Sequence, residues 1–193
     1  MTNLYLWKLV FHILCIEYTE RKEKMNRHIL SILVDNQAGV LNRVCGLFSR
    51  RGYNIETLSV GVTEDANISR ITVQVDCDDM TIEQIVKQVD KLVDVIRVVE
   101  LHSDHGVFRE LALIKVAAKP QQRSEIASMV DIYRANIIDV ASESLTIEIT
   151  GKPSKIEAFE ALMEAYGIKE VVRTGLTGLC RGNNPIRKTR EDW

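Results

Sequence analysis

His28-Ile29-Leu30-Ser31-Ile32-Leu33-Val34, Asp35-Asn36-Gln37-Ala38-Gly39 and Val40-Leu41-Asn42-Arg43-Val44-Cys45-Gly46-Leu47-Phe48 follow one another without a break, and the fold turns on this run. The first part is apolar and β-prone. The second consists of turn formers. In the third, Val40, Val44, Leu47 and Phe48 recur at the spacing of one helix face. Arg50-Arg51-Gly52 then supplies basic residues and a glycine, both favourable at the carbonyl end of a helix. The stretch predicts a strand, a tight turn and a helix that stops at Gly52.

Beyond the helix, two strands are expected over 54–63 and 68–76, the second from the alternation of Ile71, Val73 and Val75, with Glu64-Asp65-Ala66-Asn67 as the turn between them. A helix is expected to open at Thr81, with Gln84 completing a capping box and Ile82, Ile85, Val86, Val89 and Leu92 on one face. Val93 to Leu101 reads as a strand, so the order is βαββαβ. The same order recurs downstream. Leu111 to Ala117 reads as a strand, Ile126, Met129, Val130 and Tyr133 mark a helix, and 137–142 with 144–150 form a hairpin. Pro153-Ser154, with Glu157 three residues after the serine, starts another helix, and 168–174 is a closing strand. Corresponding points even share letters, as in Gly52-Tyr53-Asn54-Ile55 against Arg134-Ala135-Asn136-Ile137. The fold class is therefore α+β, two ferredoxin-like βαββαβ domains in tandem. The expected organisation is a leader at 1–25, a domain at 26–101, a polar linker at 102–109, a second domain at 110–174 and a tail at 175–193. Each such domain leaves one sheet face and two edges uncovered. Edge-to-edge pairing of two copies about a twofold axis is the simplest way to manage them.

Composition agrees with a globular chain. The 193 residues carry 25 Lys plus Arg against 27 Asp plus Glu, a formal charge of -2, with 46% hydrophobic and 27% charged residues. So balanced a chain has no field to draw nucleic acid, and no residues remain after the two units to build a DNA-reading module. Cys15, Cys45, Cys77 and Cys180 lie far apart without a CxxC pair, which argues against structural zinc and a disulfide framework and for a reducing compartment, cytoplasm or plastid stroma. The apolar run from Thr2 to Ile16 is shorter than the ~20 residues of a membrane span, and it has neither the basic start nor the cleavage site of a signal peptide. Two readings of the leader stand side by side: Met25 as the true start, or an amphipathic helix that packs on the domain or a partner.

Catalytic motifs are missing. The sequence contains no GxSxG, Walker lysine or GxGxxG pattern, and His102-Ser103-Asp104-His105 reads as linker rather than as a metal cluster. The informative segment is Asp35 to Val40. A strand delivers the backbone into a helix start with unpaired N–H groups, and Gly39 removes the side chain that would block an anion. This describes a carboxylate site built from backbone. The plainer alternative is a helix start capped by Asp35 or Asn36, with Gly39 incidental.

HILSILVDNQAGVLNRVCGLFSRRGYNIETLSVG, with SRITVQV, TIEQIVKQVDKLVDVIRV, FRELALIKV and VVRTGLTGLCRG after it, closely resembles the regulatory (small) subunits of acetolactate synthase, or acetohydroxyacid synthase, a family of ACT-domain proteins. The match runs over about residues 26–182. The resemblance implies a chain with no catalytic residues and no cofactor of its own. It implies a separate catalytic (large) subunit carrying thiamine diphosphate, FAD and Mg, which this chain activates and makes sensitive to feedback by valine in branched-chain amino acid biosynthesis. The implied effector site lies at an ACT homodimer interface, with Asn36, Ala38, Gly39 and Val40 from one chain and Asn54 and Ile55 from the other. The amides of Gly39 and Val40 would hold the carboxylate, Asn36 and Asn54 the polar groups, and Val40 and Ile55 the apolar wall. The second domain has Lys119-Pro120-Gln121-Gln122 where the first has its glycine loop, which assigns it packing or partner binding. Gly175 to Gly182 reads as a mobile ending, with contact to the catalytic subunit as the alternative. The alternative function is a stand-alone ACT-type sensor acting on another enzyme or a transcriptional regulator.

Overall fold

The computed structural model describes residues 26–183 and 186; the leader, both readings of Met25 and most of 184–193 lie outside the described residues. The first unit comprises β1 (Asn26–Asp35), α1 (Val40–Arg51), β2 (Thr57–Val62), β3 (Ile68–Cys77), α2 (Asp79–Val89) and β4 (Val95–Glu100). The second comprises β5 (Gly106–Ala117), α3 (Arg123–Ile132), β6 (Asn136–Val140), β7 (Ser144–Gly151), α4 (Pro153–Met163) and β8 (Ile168–Arg173), and β9 (Thr177–Cys180) follows. Both sheets are antiparallel, in the orders β2-β3-β1-β4 and β6-β7-β5-β8, with β9 added to the start of β5. The architecture is α+β, two ferredoxin-like units in tandem.

Periodicity explains both cores. In the first, Leu30, Ile32 and Val34 of β1 and Ile71, Val73 and Val75 of β3 project from one sheet face onto Val40, Val44, Leu47 and Phe48 of α1 and Ile82, Ile85 and Val89 of α2. The second repeats the plan with Ala112, Ile114 and Val116 opposite Ile126, Val130, Ile156 and Phe159. Truncating any of the larger of these to alanine would cost about 2–5 kcal/mol. Helix α1 ends as expected: Gly52 adopts a left-handed φ of 70°, its amide returns to Phe48 and Ser49, and Arg50 and Arg51 occupy the last turn.

Several expectations are corrected. The cap of α2 is Asp78, not Thr81: its carboxylate accepts from the Thr81 amide at 2.8 Å and the Thr81 hydroxyl at 3.0 Å, so the helix starts one turn early. Ser154 caps nothing. Pro153 opens α4 after Lys152, because its preset φ and missing N–H suit the first helical position. The strand expected over 54–63 shrinks to Thr57–Val62. The linker and the mobile tail are corrected together. Gly106 to Arg109 is strand and pairs with Thr177 to Cys180, leaving only 101–105 between the units. A Cβ at Gly106 or Gly178 would overlap the Phe108 ring, so these glycines admit a close approach rather than mobility.

This ribbon also packs on the helix-free face of the first sheet. The Leu176 carbonyl accepts from Ser59 Oγ at 2.9 Å, and the Leu176 side chain is buried. Ile186 packs against Leu33 and Ile68, with Ile96 and Val99 beside them. Ser31, Thr72 and Gln74 on that face are buried. The chain's own ending thus packs on part of this face, with open clefts left beside Thr72 and beside Gln74, and β2 and β4 are the edges of the first sheet.

Candidate functional site

The loop after β1 is pinned on both sides by backbone. The Asp35 amide donates to Asp94 O at 2.9 Å, and the Asn36 amide donates to Asn67 O at 2.7 Å. The chain then turns, and Gly39 itself is the N-terminal cap of α1, at φ 85° and with no side chain bonded to the helix start. This overturns capping by Asp35 or Asn36 and gives the glycine a reason, since left-handed backbone is costly for other L-residues. The amides of Ala38, Gly39, Leu41 and Asn42 have no acceptor among the described residues, and the segment 36–39 is exposed. Four outward donors with the positive end of a helix dipole behind them can hold a carboxylate.

Three residues take roles other than those expected. The Val40 side chain is buried in the core and cannot wall a pocket, while its amide leans on Gln37 O at 3.4 Å. The exposed apolar side chain in the first turn is that of Leu41. Asn36 turns away from the loop opening: its Nδ2 donates to Ala66 O at 2.9 Å and its Oδ1 accepts from Ser69 Oγ at 3.0 Å. It clamps the loop to the β2–β3 turn. Asn54 and Ile55 are at the other end of the sheet, because β2 starts opposite Gln74 and finishes opposite Ser69. Six strand residues at ~3.3 Å each separate them from Gly39 by about 20 Å. Asn54 Nδ2 donates instead to the Glu56 carboxylate. One chain alone brings Asn36, Ala38 and Gly39 together and leaves Asn54 and Ile55 apart.

Arg43 lies beside this loop, a neighbour that the sequence expectations did not include. Its Nε donates to Asp94 Oδ2 at 2.6 Å, and its Nη1 lies 3.5 Å from the point a Cβ on residue 39 would occupy. The signal was available: residues four apart on a helix share a face.

The fold and this loop define a tandem ferredoxin-like protein whose first unit is an ACT-type domain. The profile for an AHAS small subunit-like ACT domain matches residues 30–97, and that for the small subunit of acetolactate synthase matches 109–182. The acetolactate synthase small subunit of Mycolicibacterium smegmatis is 50% identical over 159 residues, 82% of this chain and 94% of that protein. Acetolactate synthase small subunit 2, chloroplastic, of Arabidopsis thaliana is 46% identical over 159 residues, which cover 33% of its length. The crystal structure of the small subunit from Thermotoga maritima superposes with a TM-score of 0.77 at 43% identity, covering 82% of this chain and 99% of that one. The chain belongs to the acetolactate synthase small-subunit family. Among the described residues no helix is long and apolar enough to cross a membrane.

Proposed function

We propose that this protein is the regulatory subunit of acetolactate synthase: it pairs with itself through β2, binds valine or a related branched-chain amino acid across that pairing, and adjusts a catalytic subunit. Thiamine diphosphate, FAD and Mg belong to that catalytic subunit. The carrying observation is that the exposed Gly39 loop and Asn54-Ile55 lie at opposite ends of a free edge strand. When two copies of β2 pair antiparallel about a twofold axis, the start of one strand meets the end of the other. Asn54 and Ile55 of the partner subunit then approach the Gly39 loop. The edge suits such pairing, since Val60 and Val62 are 48% and 60% exposed, with Leu41 exposed beside the loop. Each valine fully buried there would contribute about 1.5–3 kcal/mol.

Regulation follows from linkage. An effector touching both chains favours the edge geometry that brings its contacts together, and it acts on the catalytic subunit only through that preference. Asn36 gives the loop a mechanical hold on the turn at the end of β2. A coupling of ~1–3 kcal/mol corresponds to about 5- to 150-fold regulation. The test is co-purification of the tagged full-length chain with a thiamine-diphosphate enzyme, followed by turnover assays with and without added chain across a valine titration. Capture of that enzyme, higher turnover and inhibition by valine support the reading. Turnover indifferent to the chain refutes it.

A further inference from the structure

Arg43 stands one helical turn after Gly39, and its guanidinium is held rather than free. Asp94, with a side chain only 13% exposed, accepts from Nε at 2.6 Å, and its backbone carbonyl accepts from the Asp35 amide at the base of the same loop. The Arg43 side chain is 49% exposed, so this bond orients the guanidinium and removes part of the rotamer freedom that binding would otherwise cost. Its outer nitrogens have no acceptor among the described residues, and Nη1 sits over the face of residue 39 that carries no side chain. The amides of Ala38 and Gly39 are unpaired beside it. Two kinds of donor, a planar fork and backbone N–H, thus stand unpaired beside the same residue. A carboxylate has two oxygens with which to accept from both, whereas a hydroxyl has one weaker acceptor. Because Asp94 neutralises the guanidinium, the opening offers directed hydrogen bonds without a field that would collect polyanions.

We propose that Arg43 is the residue that selects the effector's carboxylate, with Asp94 as its positioning residue. This rests on the effector reading of the Gly39 loop given above. It also gives position 39 a reason, separate from φ, to carry no side chain longer than a methyl group, since a longer one would stand between Nη1 and the ligand.

Ligand-observed NMR titration of the full-length chain tests the assignment, with L-valine and L-valinol as probes; valinol keeps the amine and branched side chain but has a hydroxyl for the carboxylate. The unaltered chain should bind valine more tightly than valinol by about tenfold or more. Arg43→Gln should weaken valine by about 10- to 100-fold and leave valinol unchanged, which removes the preference. Arg43→Lys, which keeps the charge without the fork, should lose part of it. Asp94→Asn should reduce valine affinity less than Arg43→Gln, again without affecting valinol. Valine affinity retained within about twofold in Arg43→Gln, or an equal loss for both probes, overturns the assignment of Arg43 while leaving the loop as the site. Absence of valine binding by the unaltered chain overturns the effector reading itself.

Discussion

Gly39→Asp separates occupancy of the loop from integrity of the fold. At φ 85° an L-residue costs about 1–2 kcal/mol, and aspartate is among the side chains that tolerate this region best. The added Cβ meets only Arg43 Nη1, at 3.5 Å, an ordinary contact that demands no movement. The new carboxylate would reach that guanidinium and the neighbouring free amides, an exposed pairing worth about 0–1 kcal/mol that offsets part of the strain. A net loss of about 1 kcal/mol lowers Tm by several degrees and leaves the chain folded. The site, however, is now filled by the protein's own carboxylate. In the reconstituted holoenzyme, activation by Gly39→Asp should persist while inhibition by valine disappears. Gly39→Ala provides the control, carrying the same backbone strain without a carboxylate, and should remain responsive to valine with a comparable fall in Tm. An unchanged valine curve for Gly39→Asp refutes the reasoning. So does an equal loss in Gly39→Ala, which would make backbone strain rather than occupancy the cause.

Two further predictions concern the framework. Glu110 has a side chain only 3% exposed, held by Arg173 through bonds of 2.8 and 2.7 Å, and this bonding raises the guanidinium further above its ordinary pKa. Arg173→Gln strands the carboxylate and should cost about 3–5 kcal/mol in urea unfolding; a loss under about 1 kcal/mol would show that water reaches Glu110. Hydrogen bonds from the Thr81 amide and hydroxyl hold the Asp78 carboxyl below the ordinary carboxylate range. A depressed folded pKa contributes stability that is present above the unfolded value and lost as pH falls through the folded one. The Tm difference between the unaltered chain and Asp78→Ala should therefore be full at neutral pH and close in acid, and a difference that does not vary with pH contradicts this account.

Much of the site could be read locally because its parts are consecutive. The strand at His28–Val34, the turn and the α1 stripe all follow from residues within one helical turn or one pleat of each other, and Gly39 stands out in that run. Asn36 shows where such reading fails. Its type and position suit a ligand contact, yet Ala66 and Ser69, thirty residues on, claim its amide. Val40 carries two signals, a helix stripe and a loop position, and core burial prevails because its side chain lies on the face shared with Val44 and Leu47. Arg43 was hidden for the opposite reason, since a basic residue on an exposed helix face is unremarkable until Asp94 is placed beside it.

The pattern of apolar residues determined the two βαββαβ units, their order and the glycine loop, because periods of two and 3.6 act between neighbours in sequence and need no knowledge of distant chain. Tertiary structure alone decided that the ending at 177–180 becomes a strand and packs on the first sheet. It also placed Asn54 about 20 Å from Gly39 and fixed Arg43 with Asp94. Each of these depends on which remote segments lie side by side, a matter settled by burial of shared surface and by hydrogen-bond partners that no local spacing encodes.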